Sequence, residues 1–246
     1  MKKMLIGATE LKFEQGNNSN VYVVGSNGTG KNRFYTNLNV KREEEKNIIV
    51  IESMKKEAYH ATHQTKVEQG YLVLQLDLLS PHFHGMLREV LSQYQHQKFI
   101  LYIHVNVVES TYHERGEQVQ KLLHILIEQQ FKKAMHIYFD EYEMYPIPNI
   151  DKFLCVTQGY QMGVSIIVQY HSQLQQIHGK RIANQVLTNC DWTLFFGTNS
   201  MQDAEYFSRM SGYDQMEVFL LQDEIILLDA YYPPQKIPIR NAEFNR

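Results

Sequence analysis

Apolar, β-branched runs recur along the chain, separated by polar or glycine-containing segments. They read VYVVG at 21–25, NIIVIE at 47–52, YLVLQLD at 71–77, FILYIHVNVV at 99–108, HIYFD at 136–140, VSIIVQ at 164–169 and WTLFFG at 192–197. Short runs of this composition, bounded by turn-forming residues, predict strands. Most are apolar on both faces instead of alternating, the pattern of parallel strands covered from two sides. Helical spacing fills most of the intervals. In GEQVQKLLHILIEQQFKK, Val119, Leu122, Leu123, Ile125, Leu126 and Phe131 favour one face, and Glu117, Gln120, Lys121 and Glu128 the other. That predicts an amphipathic helix. Alternating strands and helices imply the α/β class, with a mostly parallel, doubly covered sheet. Near the end, MEVFLLQDEIILLDAYYPP predicts two adjacent strands joined at Gln222 and Asp223, followed by a Pro-rich tail. No repeat, low-complexity tract or linker divides the chain, so residues 1–246 read as one domain.

Composition narrows the class only slightly. The 246 residues are 43% hydrophobic, enough for one substantial core. With 24 Lys plus Arg against 27 Asp plus Glu, the net charge of -3 gives no global footprint for nucleic acid and leaves room for a local basic channel. Cys155 and Cys190 lack metal-type spacing and read as buried free thiols in a reducing cytosol. The opening MKKMLIGATELKFEQ is too short of apolar residues for a signal peptide, and no run approaches the roughly 18 apolar residues of a membrane span. The expectation is a cytoplasmic protein that reaches a membrane only through a partner.

Candidate chemistry changes the picture most at residues 25–33. Gly25, Ser26, Asn27, Gly28, Thr29, Gly30 and Lys31 satisfy the G-x-x-x-x-G-K part of the Walker A pattern, with Asn32 and Arg33 directly after it. A predicted strand enters this loop and helical sequence follows. That arrangement points backbone N–H groups and the positive end of a helix at a polyphosphate. Lys31 would reach the β/γ-phosphate oxygens. The next position normally carries a Ser or Thr hydroxyl on Mg²⁺, and Asn32 stands there instead. An amide oxygen is a hard ligand set one bond farther from the backbone. The reading is weakened Mg²⁺ coordination and slow turnover, with nucleotide held by the loop amides and Lys31.

AMHIYFDEYEMYPIP supplies a second element, a β-rich run ending in Asp140 and Glu141, the Walker B arrangement. Asp140 would hold Mg²⁺ and Glu141 would polarise the attacking water. Gln169 ends the next strand on the edge where ligands of parallel sheets collect, within reach of a γ-phosphate or that water. Arg181 and Arg209 are candidates for charge stabilisation across a subunit boundary, although solvated arginine is the simpler reading of each. His60 with His63, and His82 with His84, lack converging carboxylate or cysteine partners for zinc.

Four blocks then resemble the conjugative coupling-protein family, the TraG-like ATPases of type IV secretion related to FtsK and HerA motors. They are VVGSNGTGKNRFYTNLN, with an aromatic pair after the lysine and Asn39 matching a family asparagine; HIYFDEYEMYPIPNIDKFL; GVSIIVQYHSQL; and NCDWTLFFGTNSMQDAEYFSRMSG. The resemblance implies a RecA-like P-loop NTPase domain that uses ATP and Mg²⁺. It also implies assembly, commonly as a hexamer, around DNA, read here as single-stranded, beside other conjugation or type IV secretion proteins. Gly25, Gly28, Gly30 and Lys31 match the nucleotide loop, Asp140 and Glu141 the metal and water pair, and Gln169 the sensing glutamine.

The departures are Asn32, Leu38 in place of a usual proline, and ESMKKE at 52–57 in place of Asp-Pro-Lys-Gly-Glu. By the same comparison the chain is expected to lack the family's transmembrane segment and, between residues 76 and 98, its inserted helical domain. The leading expectation is a motor core with ATPase activity slowed by Asn32. The alternative is a catalytically weak or inactive nucleotide-binding adaptor. A small-molecule phosphotransferase fits the spread of matching blocks less well.

Overall fold

The computed structural model describes residues 2–13, 20–53, 55–94, 96–129 and 133–239. Phe131, assigned above to a helix face, lies outside them. All seven predicted strands form, as β3 (Val21–Val24), β4 (Asn47–Ser53), β5 (Leu72–Asp77), β6 (Phe99–Val105), β7 (Met135–Phe139), β8 (Met162–Val168) and β9 (Trp192–Phe195). They pair in parallel in the order β9-β3-β8-β7-β4-β6-β5. Two antiparallel strands, β10 (Glu224–Asp229) and β11 (Gln235–Pro238), extend this to a nine-stranded sheet beyond β9.

Burial follows the double-sided pattern in the sequence. Every residue of β3, β6 and β8 is buried. Alternate side chains enter opposite layers: Tyr22, Val24, Ile49 and Ile51 on one face, and Val21, Val23, Ile48 and Val50 on the other. The first layer is closed by α3 (Phe83–Gln93), α4 (Tyr112–Glu128), α5 (Ile150–Val156), α6 (His171–Thr188), α7 (Met201–Ser211) and α8 (Gln215–Phe219). The predicted amphipathic helix is α4. It starts at a capping box in which Thr111 and Glu114 satisfy each other's backbone N–H groups. Each fully buried aliphatic side chain in these layers contributes roughly 1.5–3 kcal/mol.

The second layer is closed by α1 (Asn37–Arg42), α2 (Glu57–Glu68) and a hairpin absent from the sequence reading, β1 (Lys2–Ile6) with β2 (Thr9–Phe13). Asn39 pins that hairpin. Its Oδ1 accepts from the Leu5 N–H at 2.8 Å, and its Nδ2 donates to the Leu5 carbonyl at 2.7 Å.

Two readings need correction. The C-terminal antiparallel pair exists, but its strands are β10 and β11, and Met216–Phe219 is helical, not extended. Asp214 decides this, because its carboxylate accepts from the N–H groups of Met216 and Glu217 and caps α8. Of the two thiols, Cys190 is buried but Cys155 is exposed, on the outer side of the short α5.

Candidate functional site at the carboxyl edge of the sheet

Parallel pairing sends β3, β4, β7 and β8 out of the sheet at one edge, and Val24 is level with Val168 there, as Ile51 is with Phe139. The residues that follow therefore meet, as expected where strand order reverses. A cleft of about 410 Å³ opens there, lined by Asn27, Gly28, Gly30, Lys31, Asn32 and Arg33 from the loop after β3. Its other walls are Lys55 from the β4–α2 connection, Glu57 at the start of α2, Asp140 and Glu141 after β7, and Ile167, Val168 and Gln169 at the end of β8.

Glycine is required in the loop for specific reasons. Gly28 and Gly30 have φ of +82° and +95°, the left-handed region. A Cβ on Gly25 would lie 2.8 Å from both Phe196 Cβ and Thr29 Oγ1. The side chains of Ser26 and Thr29 brace the loop through hydrogen bonds. Thr29 Oγ1 donates to the Ser26 carbonyl at 2.8 Å, and Ser26 Oγ donates to Asn199 Oδ1 at 3.0 Å. Asn199, which follows β9, also accepts from the Tyr170 hydroxyl at 2.7 Å and so ties the loop to the start of α6.

Lys31 folds back so that Nζ donates to the carbonyls of Gly25 and Ser26. Burial lowers its pKa, against the opposing pull of Asp140, Glu143, Glu141 and Glu57. After it the chain makes a π-helical turn, Asn32–Thr36, before α1 begins. Such turns are uncommon and concentrate at functional sites. This one carries Asn32 towards two acids: Nδ2 donates to Glu57 Oε2 at 2.8 Å and to Asp140 Oδ2 at 3.3 Å. Asn32 Oδ1 is shielded from solvent and accepts no hydrogen bond.

Asp140 is buried, its Oδ1 accepting from the Glu141 N–H at 3.1 Å. Burial first, and the neighbouring Glu141 second, push its pKa up to about 7. Glu141 sits at φ 51°, a left-handed conformation that is strained for a non-glycine residue. Gln169 is the first residue past the ladder, and its N–H donates to Glu143 Oε1 at 3.2 Å. Arg181 and Arg209 do not join the cleft; they bond on their own helices to Gln185 and Glu205.

The structure thus brings together the loop, Asp140, Glu141 and Gln169, as the motifs suggested. It adds Glu57, Lys55, Glu143 and Asn199. The signal for the first two was ESMKKE, read only as a departure from a family pattern. Glu143 and Asn199 carry no local signal, since their partners lie 26 and 173 residues away.

Residues 134–219 match the family described as the TraM recognition site of TraD and TraG. The resemblance is to conjugative coupling proteins. The bacterial conjugative coupling protein TrwBΔN70 superposes with a TM-score of 0.67 at 10% identity, covering 99% of this chain and 90% of that one. VirB4 of Thermoanaerobacter pseudethanolicus gives 0.65 at 11% identity, covering 98% and 97%. The genome packaging NTPase B204 from Sulfolobus turreted icosahedral virus 2, solved with AMP, gives 0.53 at 14% identity, covering 86% and 92%. TrwB has also been solved with ADP and Mg²⁺. No curated protein sequence matches the chain. The coupling-protein resemblance therefore rests on sequence over residues 134–219 and on fold over nearly the whole chain, a RecA-like P-loop NTPase fold with a mostly parallel sheet.

Proposed function

We propose that this chain is a cytoplasmic, single-domain ATP-binding motor core of the coupling type, acting in DNA transfer or type IV secretion. One observation carries the reading. A glycine loop with a half-buried lysine opens on the same cleft as two consecutive acids and a strand-end glutamine. In this role the loop amides and Lys31 hold the phosphates, Arg33 adds positive charge at the mouth, and Glu141 with Gln169 orients the attacking water.

The donor set suits a hard divalent cation, since Asp140 Oδ2 and the unpartnered Asn32 Oδ1 are oxygen donors beside the loop. Mg²⁺ bound by Asn32 and Asp140 would neutralise phosphate charge. Asn32 must then release its two carboxylates, which makes turnover slow. The proposed assembly is a homo-oligomer, by resemblance a hexamer, around single-stranded DNA. Accessory conjugation proteins of the TraM kind would contact residues 134–219, and membrane contact would come only through partners; no helix among the described residues is long and apolar enough to cross a membrane.

Calorimetric titration of ATP and Mg²⁺, with and without single-stranded DNA, tests this reading. DNA-stimulated hydrolysis that is lost in Lys31→Ala supports the motor, and absence of any nucleotide binding overturns it. A weak or inactive adaptor is the second reading. It is favoured by the bonds of Asn32 to Glu57 and Asp140, which close the cation position with N–H groups. Nucleotide binding without hydrolysis, with oligomers intact, would select it.

A further inference from the structure

Glu143 is fully buried within the short 3₁₀ turn Tyr142–Met144 that follows the two acids. An ionisable side chain in such a place is costly unless its oxygens are partnered. Only one is: Oε1 accepts from the Gln169 N–H, while Oε2 is shielded from solvent and accepts nothing.

The turn that carries Glu143 is held firmly. Tyr145 donates to the Asp140 carbonyl at 2.6 Å and the Ile51 carbonyl at 3.1 Å, and the Tyr142 hydroxyl accepts from the Ile147 N–H at 3.1 Å. The Met144 N–H closes on the Glu141 carbonyl at 2.8 Å. Gln169, by contrast, has left the sheet: the last β8 residue, Val168, still accepts from Gly25 N–H, but Gln169 N–H has no strand partner. Glu143 supplies one. We infer that Glu143 is a positioning residue that fixes the backbone of Gln169 against the turn bearing Glu141, so that the two cleft-facing side chains keep one separation.

This inference rests on the proposed nucleotide site and deepens it. The expected consequence is discrimination: a tethered Gln169 senses the terminal phosphate of a triphosphate and is indifferent to a diphosphate. Glu143→Met keeps the volume and removes the acceptor, whereas Glu143→Gln keeps an acceptor oxygen. Two readouts are made on the purified chain: hydrogen exchange at the Gln169 amide, and affinity for ADP and for a slowly hydrolysed ATP analogue.

Loss of the tether in Glu143→Met should speed Gln169 exchange at least about tenfold. The triphosphate-to-diphosphate affinity ratio should fall about fivefold, the loss of a single hydrogen bond's worth of positioning. ADP affinity should hold, and Glu143→Gln should restore both readouts. Adding Gln169→Ala to Glu143→Met should lower the ratio no further than Gln169→Ala alone. The inference is overturned by a ratio unchanged in Glu143→Met, by equal loss of both nucleotides, or by failure of Glu143→Gln to rescue. Should Glu143→Met not fold, the Gln169→Ala ratio and Gln169 exchange in the wild type and Glu143→Gln decide it: an unaltered ratio, or an unprotected Gln169 amide, refutes it. A wild type that binds neither nucleotide overturns the proposed function, and this inference with it.

Discussion

Replacing Asn32 with threonine separates the hydrogen bonds seen at this position from the cation-ligand role proposed for it. The amide now donates to Glu57 at 2.8 Å and to Asp140 at 3.3 Å. A threonine hydroxyl, set closer to the backbone, spans neither gap. Hydrogen bonds to charged groups are worth about 1.5–3 kcal/mol each, but Glu57 is exposed and the Asp140 bond is long, so the expected loss without nucleotide is about 1–2 kcal/mol. In a chain of this size that corresponds to a fall in melting temperature of roughly 2–6 °C.

With MgATP the sign reverses. Under the proposed function a hydroxyl would supply the usual cation ligand and leave the Asp140 carboxylate free, so hydrolysis should rise by at least about tenfold, equivalent to about 1.4 kcal/mol off the barrier. Thermal denaturation without nucleotide and phosphate release at saturating MgATP measure the two effects. An unchanged melting temperature would mean that the amide bonds contribute nothing. Hydrolysis unchanged or reduced would show that Asn32 is not what limits the site.

Three further outcomes are expected. Lys31→Ala should weaken triphosphate binding at least about tenfold in calorimetry while leaving the fold intact, because the hydrogen bonds of Lys31 go to carbonyls of its own loop. Burial raises the Glu143 pKa from 4.5 to about 7, so the neutral acid is favoured in the folded state: its stabilising contribution is complete below the unfolded pKa and is lost as pH rises towards 7. Glu143→Gln should therefore match the wild type near pH 4 and exceed its stability at pH 8 by an amount on the order of 2 kcal/mol, read by denaturant titration; a difference independent of pH contradicts the buried-acid assignment. Asn20→Ala should cost roughly 2–4 kcal/mol by the same method, since Asn20 Nδ2 donates to Leu154, Thr157 and Asn189, and its Oδ1 accepts from the Val164 N–H.

Local pattern carried much of this protein. The apolar runs located every strand of the parallel sheet: in the interior strands burial on both faces leaves a continuous apolar signature, and the partly buried edge strand β5 still reads as a short apolar run. The glycine loop and the Asp140–Glu141 pair, which line one cleft, were legible because each is a short run of particular residue types directly after an apolar strand. The run at 216–221 was misread since a short apolar stretch has no decisive period, and the Asp214 cap settled it. The hairpin β1–β2 was not anticipated, and what holds it, Asn39 bonding to Leu5, is a contact between segments 34 residues apart.

The sequence by itself determined the fold class and pointed to the glycine loop and acid pair that line the cleft, since both follow from near neighbours along the chain. Tertiary structure alone decided that Asn32 reaches Glu57 and Asp140, and that Glu143 holds Gln169. Those contacts arise because the order β3-β8-β7-β4 brings together segments far apart in sequence, and residue spacing does not encode which strand ends become neighbours.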